Sequence, residues 1–136
     1  MVLELSRRDE IITVKIEDAE IVCRPYRAQH YSIAKLKTFK VLESLTKQRA
    51  EELEIGVETN IPNLEDNDVR TGMHFHIFNV EVAKLVILSW KGIELNGEPA
   101  ELNDDNINKL FADGFIQDLF MTQFMKLQNE VEAEKK

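Results

Sequence analysis

Met73-His-Phe-His-Ile-Phe-Asn-Val-Glu-Val-Ala-Lys-Leu-Val-Ile-Leu-Ser-Trp90 is the stretch on which the fold turns. Its apolar residues, Phe75, Ile77, Phe78, Val80, Val82, Ala83, Leu85, Val86, Ile87, Leu88 and Trp90, surround a helical projection almost completely, and a helix that is apolar all round is buried. Val80 to Leu88 also has the β-branched content of a buried strand. The length of the run and Gly92 just beyond it predict a helix that continues to Trp90 and stops at the glycine. A membrane span needs about 20 apolar residues without charges. Glu81 and Lys84 interrupt this run, so it reads as the buried helix of a water-soluble domain.

Upstream, Gly56 to Glu65, with Pro62 and two asparagines, reads as a loop. Glu65, Asp66 and Asp68 then sit where the positive end of a helix dipole favours acids. Before the loop, Gln29 to Ile55 is predicted as an amphipathic helix that Gly56 ends. Ile33, Leu36, Phe39, Leu42, Leu45 and Leu53 would form its core stripe, with Lys37, Lys40, Ser44, Lys47 and Glu51 opposite. Ile11 to Ile16 and Ile21 to Arg24 are short β-branched runs flanking Glu17-Asp-Ala-Glu20, the pattern of a hairpin, which Pro25 closes. A lone hairpin is unstable, so it must lie on helices or pair with another chain.

Downstream, Asn96-Gly97 signals a tight turn. Asn103 or Asp104 caps a short helix packed through Ile107, Leu110 and Phe111. A last helix starts near Asp113 or Gly114 and carries Ile116, Leu119, Phe120, Phe124, Leu127 and Val131 on one side. The predicted fold is therefore α+β and predominantly helical, a short N-terminal β-hairpin (11–24) followed by about four helices (29–131) in one domain spanning 1–136, with a frayed tail over 132–136.

Composition bounds the function. The 136 residues carry 17 Lys plus Arg against 25 Asp plus Glu, a net charge of -8, which argues against general nucleic-acid binding. The lone Cys23 excludes an internal disulfide and any multi-cysteine metal cluster. Met1 to Glu10 has acids on both sides of its basic pair and no apolar run, unlike a signal peptide. The charge is unevenly placed. Arg24 to Arg49 holds seven bases and one acid, a local charge of +6, which leaves -14 for the rest; Glu51, Glu52, Glu54, Glu58, Glu65, Asp66 and Asp68 follow without a base among them. Such runs are either solvated helix faces or complementary surfaces through which one copy aligns with another.

No catalytic, cofactor-binding or metal-ligating set emerges. His74 and His76 stand two apart, about 200° around a helix, and cannot share a metal there. Cys23 beside Arg24 could have a lowered pKa, although a buried cysteine acting as a small apolar side chain is commoner. Asp104-Asp105 is explained as a helix start. Phosphate loops, nucleophile elbows and zinc-protease motifs are missing from the sequence. The expectation is a non-enzyme without cofactors. Surplus apolar surface on the last helix marks Phe120, Met121, Phe124, Met125 and Leu127 as partner-binding candidates, where methionine suits an adaptable contact; two layers of the same domain covering that helix is the plainer account. Self-association candidates are Arg27, Lys37, Lys40, Lys47, Glu51 and Glu54.

The order of motifs in the second half, Trp90-Lys91-Gly92-Ile93, then Gly97-Glu98-Pro99, an Asn- and Asp-rich helix start through Asn106, Leu110, and a closing helix from Phe115, resembles the tail assembly chaperones of long-tailed, lambda-like bacteriophages and prophages. The likeness covers roughly Val80 to Phe120. It implies a non-enzymatic, mostly helical oligomer acting in the host cytoplasm and absent from the mature virion. Such a protein coats the tape measure protein until tail tube subunits polymerise around it, so the tape measure protein, copies of itself and the major tail tube protein are the implied partners, with no nucleic acid and no membrane. The family commonly has a longer form made by ribosomal frameshifting, with which the terminal Lys135-Lys136 is compatible. Competing readings are a structural tail or neck component, and a small enzyme or ligand-binding domain built from residues such as His74, His76, Tyr26 and Arg27.

Overall fold

A computed structural model describes residues 10–134. The elements in chain order are β1 (Ile12–Ile16), β2 (Ala19–Cys23), α1 (Ala28–Glu54), α2 (Asn67–Val86), β3 (Ile87–Lys91), β4 (Glu94–Leu95), β5 (Glu98–Pro99), α3 (Asp104–Phe111) and α4 (Gly114–Glu134). The α+β class, the N-terminal hairpin and the four helices agree with the sequence. The described residues divide into two compact units, 10–27 with 83–134, and 28–82.

In the first unit, β1, β2 and β3 form an antiparallel sheet in that order. Alternation sends Ile12, Val14, Ile16, Ile21 and Cys23 into the core. There α4 packs on β1 and brings in Phe120 and Phe124, whose stacked rings lie 5.7 Å apart, with Phe111 of α3 5.2 Å from Phe120. Across the sequence, Gln128 clamps the segment after β2: Tyr26 N–H donates to Gln128 Oε1 at 2.6 Å, and Gln128 Nε2 donates to the Tyr26 carbonyl at 3.1 Å.

β3 corrects the reading of the deciding stretch. The helix ends at Val86, not Trp90, because the free edge of β2 offers backbone partners that Ile87 to Lys91 take up. The chain passes directly from helix to strand, and the Val86 carbonyl accepts from Arg24 N–H at 2.8 Å. Leu88 falls at a register irregularity opposite Val22 and Cys23 and is exposed. Gly92 therefore terminates a strand. Its φ is +79°, and a Cβ there would lie 2.3 Å from the Asp18 carbonyl oxygen, so hairpin and β3 meet where only glycine fits. Beyond it, Asn96 (φ 54°) and Gly97 (φ 82°) make the tight turn of the β4–β5 hairpin. Trp90 Nε1 donates to the Ala100 carbonyl at 2.9 Å and ties that hairpin to the sheet.

In the second unit, α1 ends in a glycine motif as predicted: Val57 N–H donates to the Glu52 carbonyl and Gly56 N–H, at φ +78°, to the Leu53 carbonyl. Hydrogen bonds from Thr59 and Gln48 hold the Glu52 carboxyl below its ordinary pKa. Asp66 caps α2, accepting from Asp68 and Val69 N–H. Leu42, Leu64 and Ile77 form the buried centre, surrounded by Val41, Leu45, Ile61, Val69 and Met73.

The stripe expected to bury α1 is displaced. His30, Ala34, Thr38 and Leu42, four apart, are the buried positions, while Ile33, Leu36, Phe39 and Leu53 face out. Thr38 tolerates burial because its hydroxyl donates to the Ala34 carbonyl at 2.7 Å. At the other end of the chain, α4 continues through Glu134, beyond the expected fray at 132. Lys135 and Lys136, like Met1 to Asp9 of the N-terminal stretch that is unlike a signal peptide, lie outside the described residues.

Candidate protein interaction surface

Helical geometry fixes what α1 presents. At about 100° per residue, the buried positions from His30 to Leu42 span one third of the circumference. Opposite them, Ile33, Leu36 and Phe39 are 42%, 55% and 53% exposed. Contiguous exposed apolar side chains of this size are unusual unless something covers them. Lys37, Lys40 and Lys47 border this patch, and Glu51 and Glu54 continue the same face to the helix end; all five are exposed. Five of the six self-association candidates therefore share one outward face. The centre of that face is a shallow depression with Lys40, Lys47 and, from α2, Arg70 at its edges and Glu43 as its acid. Arg27 does not belong to the set: it lies in the other unit, where it pairs with Glu132 of α4 at 3.5 Å.

A second cluster surrounds the α1 terminus. Leu53, Ile55 and Val57 are exposed among Glu51, Glu54 and Glu58. Apolar contact groups thus occur at both ends of α1, basic at one and acidic at the other. Along the inner edge, Tyr31 packs edge-on against Phe78, with the ring centroids 5.7 Å apart, and Lys35 Nζ lies 5.7 Å above the Tyr31 ring. These contacts leave the Ile33–Leu36–Phe39 patch uncovered.

The last helix differs from the expectation. Phe120 and Phe124 are 0% exposed and serve the core of their own unit, so neither meets a partner. Their positions on the apolar stripe of α4 point them at the sheet, the arrangement in which neighbouring layers cover that helix. Met121 and Leu127 are half-buried at the margins of the stripe, and Met125 is 38% exposed. Phe115, in the first turn of α4, is 69% exposed, an apolar surface residue that the sequence marks only as the start of the closing helix. Nearby, a pocket of about 250 Å³ is lined by Ile16, Ile21, Ile93, Leu110 and Ile116 together with Glu17 and Asp18.

The residues weighed for chemistry are not brought together. His74 stacks on Phe78, while His76, two residues on, is half-buried on a different side of α2. Tyr26 and Arg27 belong to the other unit. Cys23 is fully buried, and burial pushes its thiol up to about 12, the reverse of the activation that Arg24 could have provided. Among the described residues no group of three or more metal-ligating side chains converges. No described helix is long and apolar enough to cross a membrane. No protein-family model matches the chain, and neither curated proteins nor solved structures give a significant match.

Proposed function

We propose that the chain is a tail assembly chaperone of a long-tailed bacteriophage or prophage, which self-associates and holds the tape measure protein soluble while the tail tube forms, without catalysis. The observation that carries this reading is the outward face of α1, where Ile33, Leu36 and Phe39 stand exposed among lysines and the same face ends in glutamates. That combination suits a protein whose work is contact with other chains. The motif order from Trp90 to Phe115 adds to it, because those residues belong to one continuous substructure. Trp90 holds Ala100, Asn106 Nδ2 donates to the Glu101 carbonyl at 2.7 Å, and Asn103 caps α3.

A client helix too long for one contact is best held by many copies, each offering a modest adaptable patch, so that avidity supplies the affinity. On the client side, Met121, Met125 and Leu127 are the contacts of α4, while Phe120 and Phe124 are buried in its own core. Net negative charge keeps the coated assembly soluble. The test is co-expression with the tape measure protein of the same phage, which this reading expects to be encoded by a long coiled-coil reading frame downstream. The chain should co-purify with it in the host cytoplasm and be missing from purified virions by mass spectrometry. Met121→Asp with Met125→Asp should fold normally and lose the complex. A folded double mutant that retains full co-purification overturns the α4 assignment. Presence at stoichiometric level in mature particles favours a structural tail or neck component instead.

A further inference from the structure

The geometry points to a two-fold antiparallel pairing of α1 with α1 of a second copy of this chain, centred at the level of Leu45. This deepens the self-association in the proposed function and rests on it, but it is independent of the client. Two parts of the face need cover: an apolar patch with a basic border (Ile33, Leu36 and Phe39 beside Lys37 and Lys40), and the acidic helix end (Glu51 and Glu54), with the exposed Leu53 on the flank that Phe39 shares. They complement one another in charge. They cannot meet within one molecule, because the unbroken helix between them holds Leu36 and Glu54 about 27 Å apart at 1.5 Å per residue. A second copy is the occupant that brings both complementary surfaces, the basic one and the acidic one.

Only one orientation satisfies both patches at once. A parallel pair sets Lys37 and Lys40 beside their own copies and Glu51 beside Glu51. Reversing the partner sets each basic end on the other's acidic end, and the two-fold axis makes both contacts together. With the axis near Leu45, Lys40 stands opposite Glu51 and Ala50, Leu36 opposite Glu54, and Glu43 opposite Lys47 of the second copy. An antiparallel dyad keeps each side of the helical face on the same side of the interface. One flank is then Phe39 against Ala50 and Leu53, and the other is Lys37 and Lys40 against Glu51 and Glu54. The shallow depression along the middle of α1 is where the partner helix would lie. Leu42 and Leu45 point inward to the unit's own core, so pairing leaves the fold untouched.

Two charge-reversed chains test this. One carries Lys37→Glu, Lys40→Glu and Lys47→Glu; the other carries Glu43→Lys, Glu51→Lys and Glu54→Lys. In size-exclusion chromatography with light scattering at low salt, the natural chain should run at the mass of two chains or a multiple of it. Each variant alone should drop at least tenfold in association, and an equimolar mixture should restore a mixed species containing both. Restoration by mixing also shows that the variants are folded. Variants that associate as tightly as the natural chain overturn the α1 pair while leaving self-association to another surface. A mixture that does not recover overturns it as well. A natural chain that stays single at every concentration overturns both the pair and the self-association of the proposed function.

Discussion

Gly92 shows how much one residue can decide. Its positive φ costs a residue with a Cβ about 1–2 kcal/mol, and the added carbon would lie 2.3 Å from the Asp18 carbonyl oxygen, which is backbone and cannot swing aside. Gly92→Ala should therefore lower unfolding free energy by about 2–4 kcal/mol in urea titration. Gly97→Ala, with nearly the same φ but open space around it, should lose only about 1–2 kcal/mol. The difference between the two isolates the steric part. Cys23 gives a pH prediction. Its folded pKa of about 12 lies above the ordinary value of 9.0, so the folded state prefers the neutral thiol. Its contribution to stability is complete below pH 9 and is lost as pH rises from there toward 12. At pH 8 a disulfide reagent should label the native chain only as fast as the chain opens. Rapid labelling of folded protein would show that the thiol is not sealed.

Between elements, local rules were legible and competing ones were not. The cap of α3, offered by the sequence at Asn103 or Asp104 and found at Asn103, and the glycine stop after α1 are read from single side chains. Asp113 accepts from Phe115 and Ile116 N–H at the start of α4, which the sequence places near Asp113 or Gly114 without naming a cap. The strand at Ile87 to Lys91 was not legible. Periodicity cannot separate a buried strand from a buried helix, and the decision belonged to β2, whose open edge lies more than sixty residues earlier in the chain. For α1 the failure had another source. Ile33, Leu36 and Phe39 are the strongest apolar signal on that helix, while the buried positions Ala34, Thr38 and His30 carry little of it. A functional surface that is itself apolar imitates a core. The reverse holds on α4, where Phe120 and Phe124 carry the apolar signal of a partner surface but are core. The Gln128 clamp joins residues 102 apart and had no local signature. Gln128→Leu removes partners from both Tyr26 backbone groups and should cost about 1–3 kcal/mol by thermal or urea unfolding.

At the scale of the whole molecule, salt separates two electrostatic effects of opposite sign. Each chain carries a net charge of -8, so bringing two together is opposed by general repulsion that added salt relieves. The α1 faces carry local lysine and glutamate that attract across the interface, and added salt weakens that attraction. Distance decides between them. Charges spread over the surface interact across tens of ångströms, beyond a Debye length of about 10 Å at 0.1 M, and are already screened there. Paired Lys and Glu side chains at contact remain inside that length until about 1 M, where it falls to roughly 3 Å. Association should thus hold steady or strengthen slightly up to about 0.1 M and then weaken steadily toward 1 M in sedimentation velocity, because above 0.1 M only the short-range attraction is left to lose. Association that grows stronger over that upper range would mean that apolar contact alone holds the copies together, with the segregation of +6 on Arg24 to Arg49 serving solubility and nothing more.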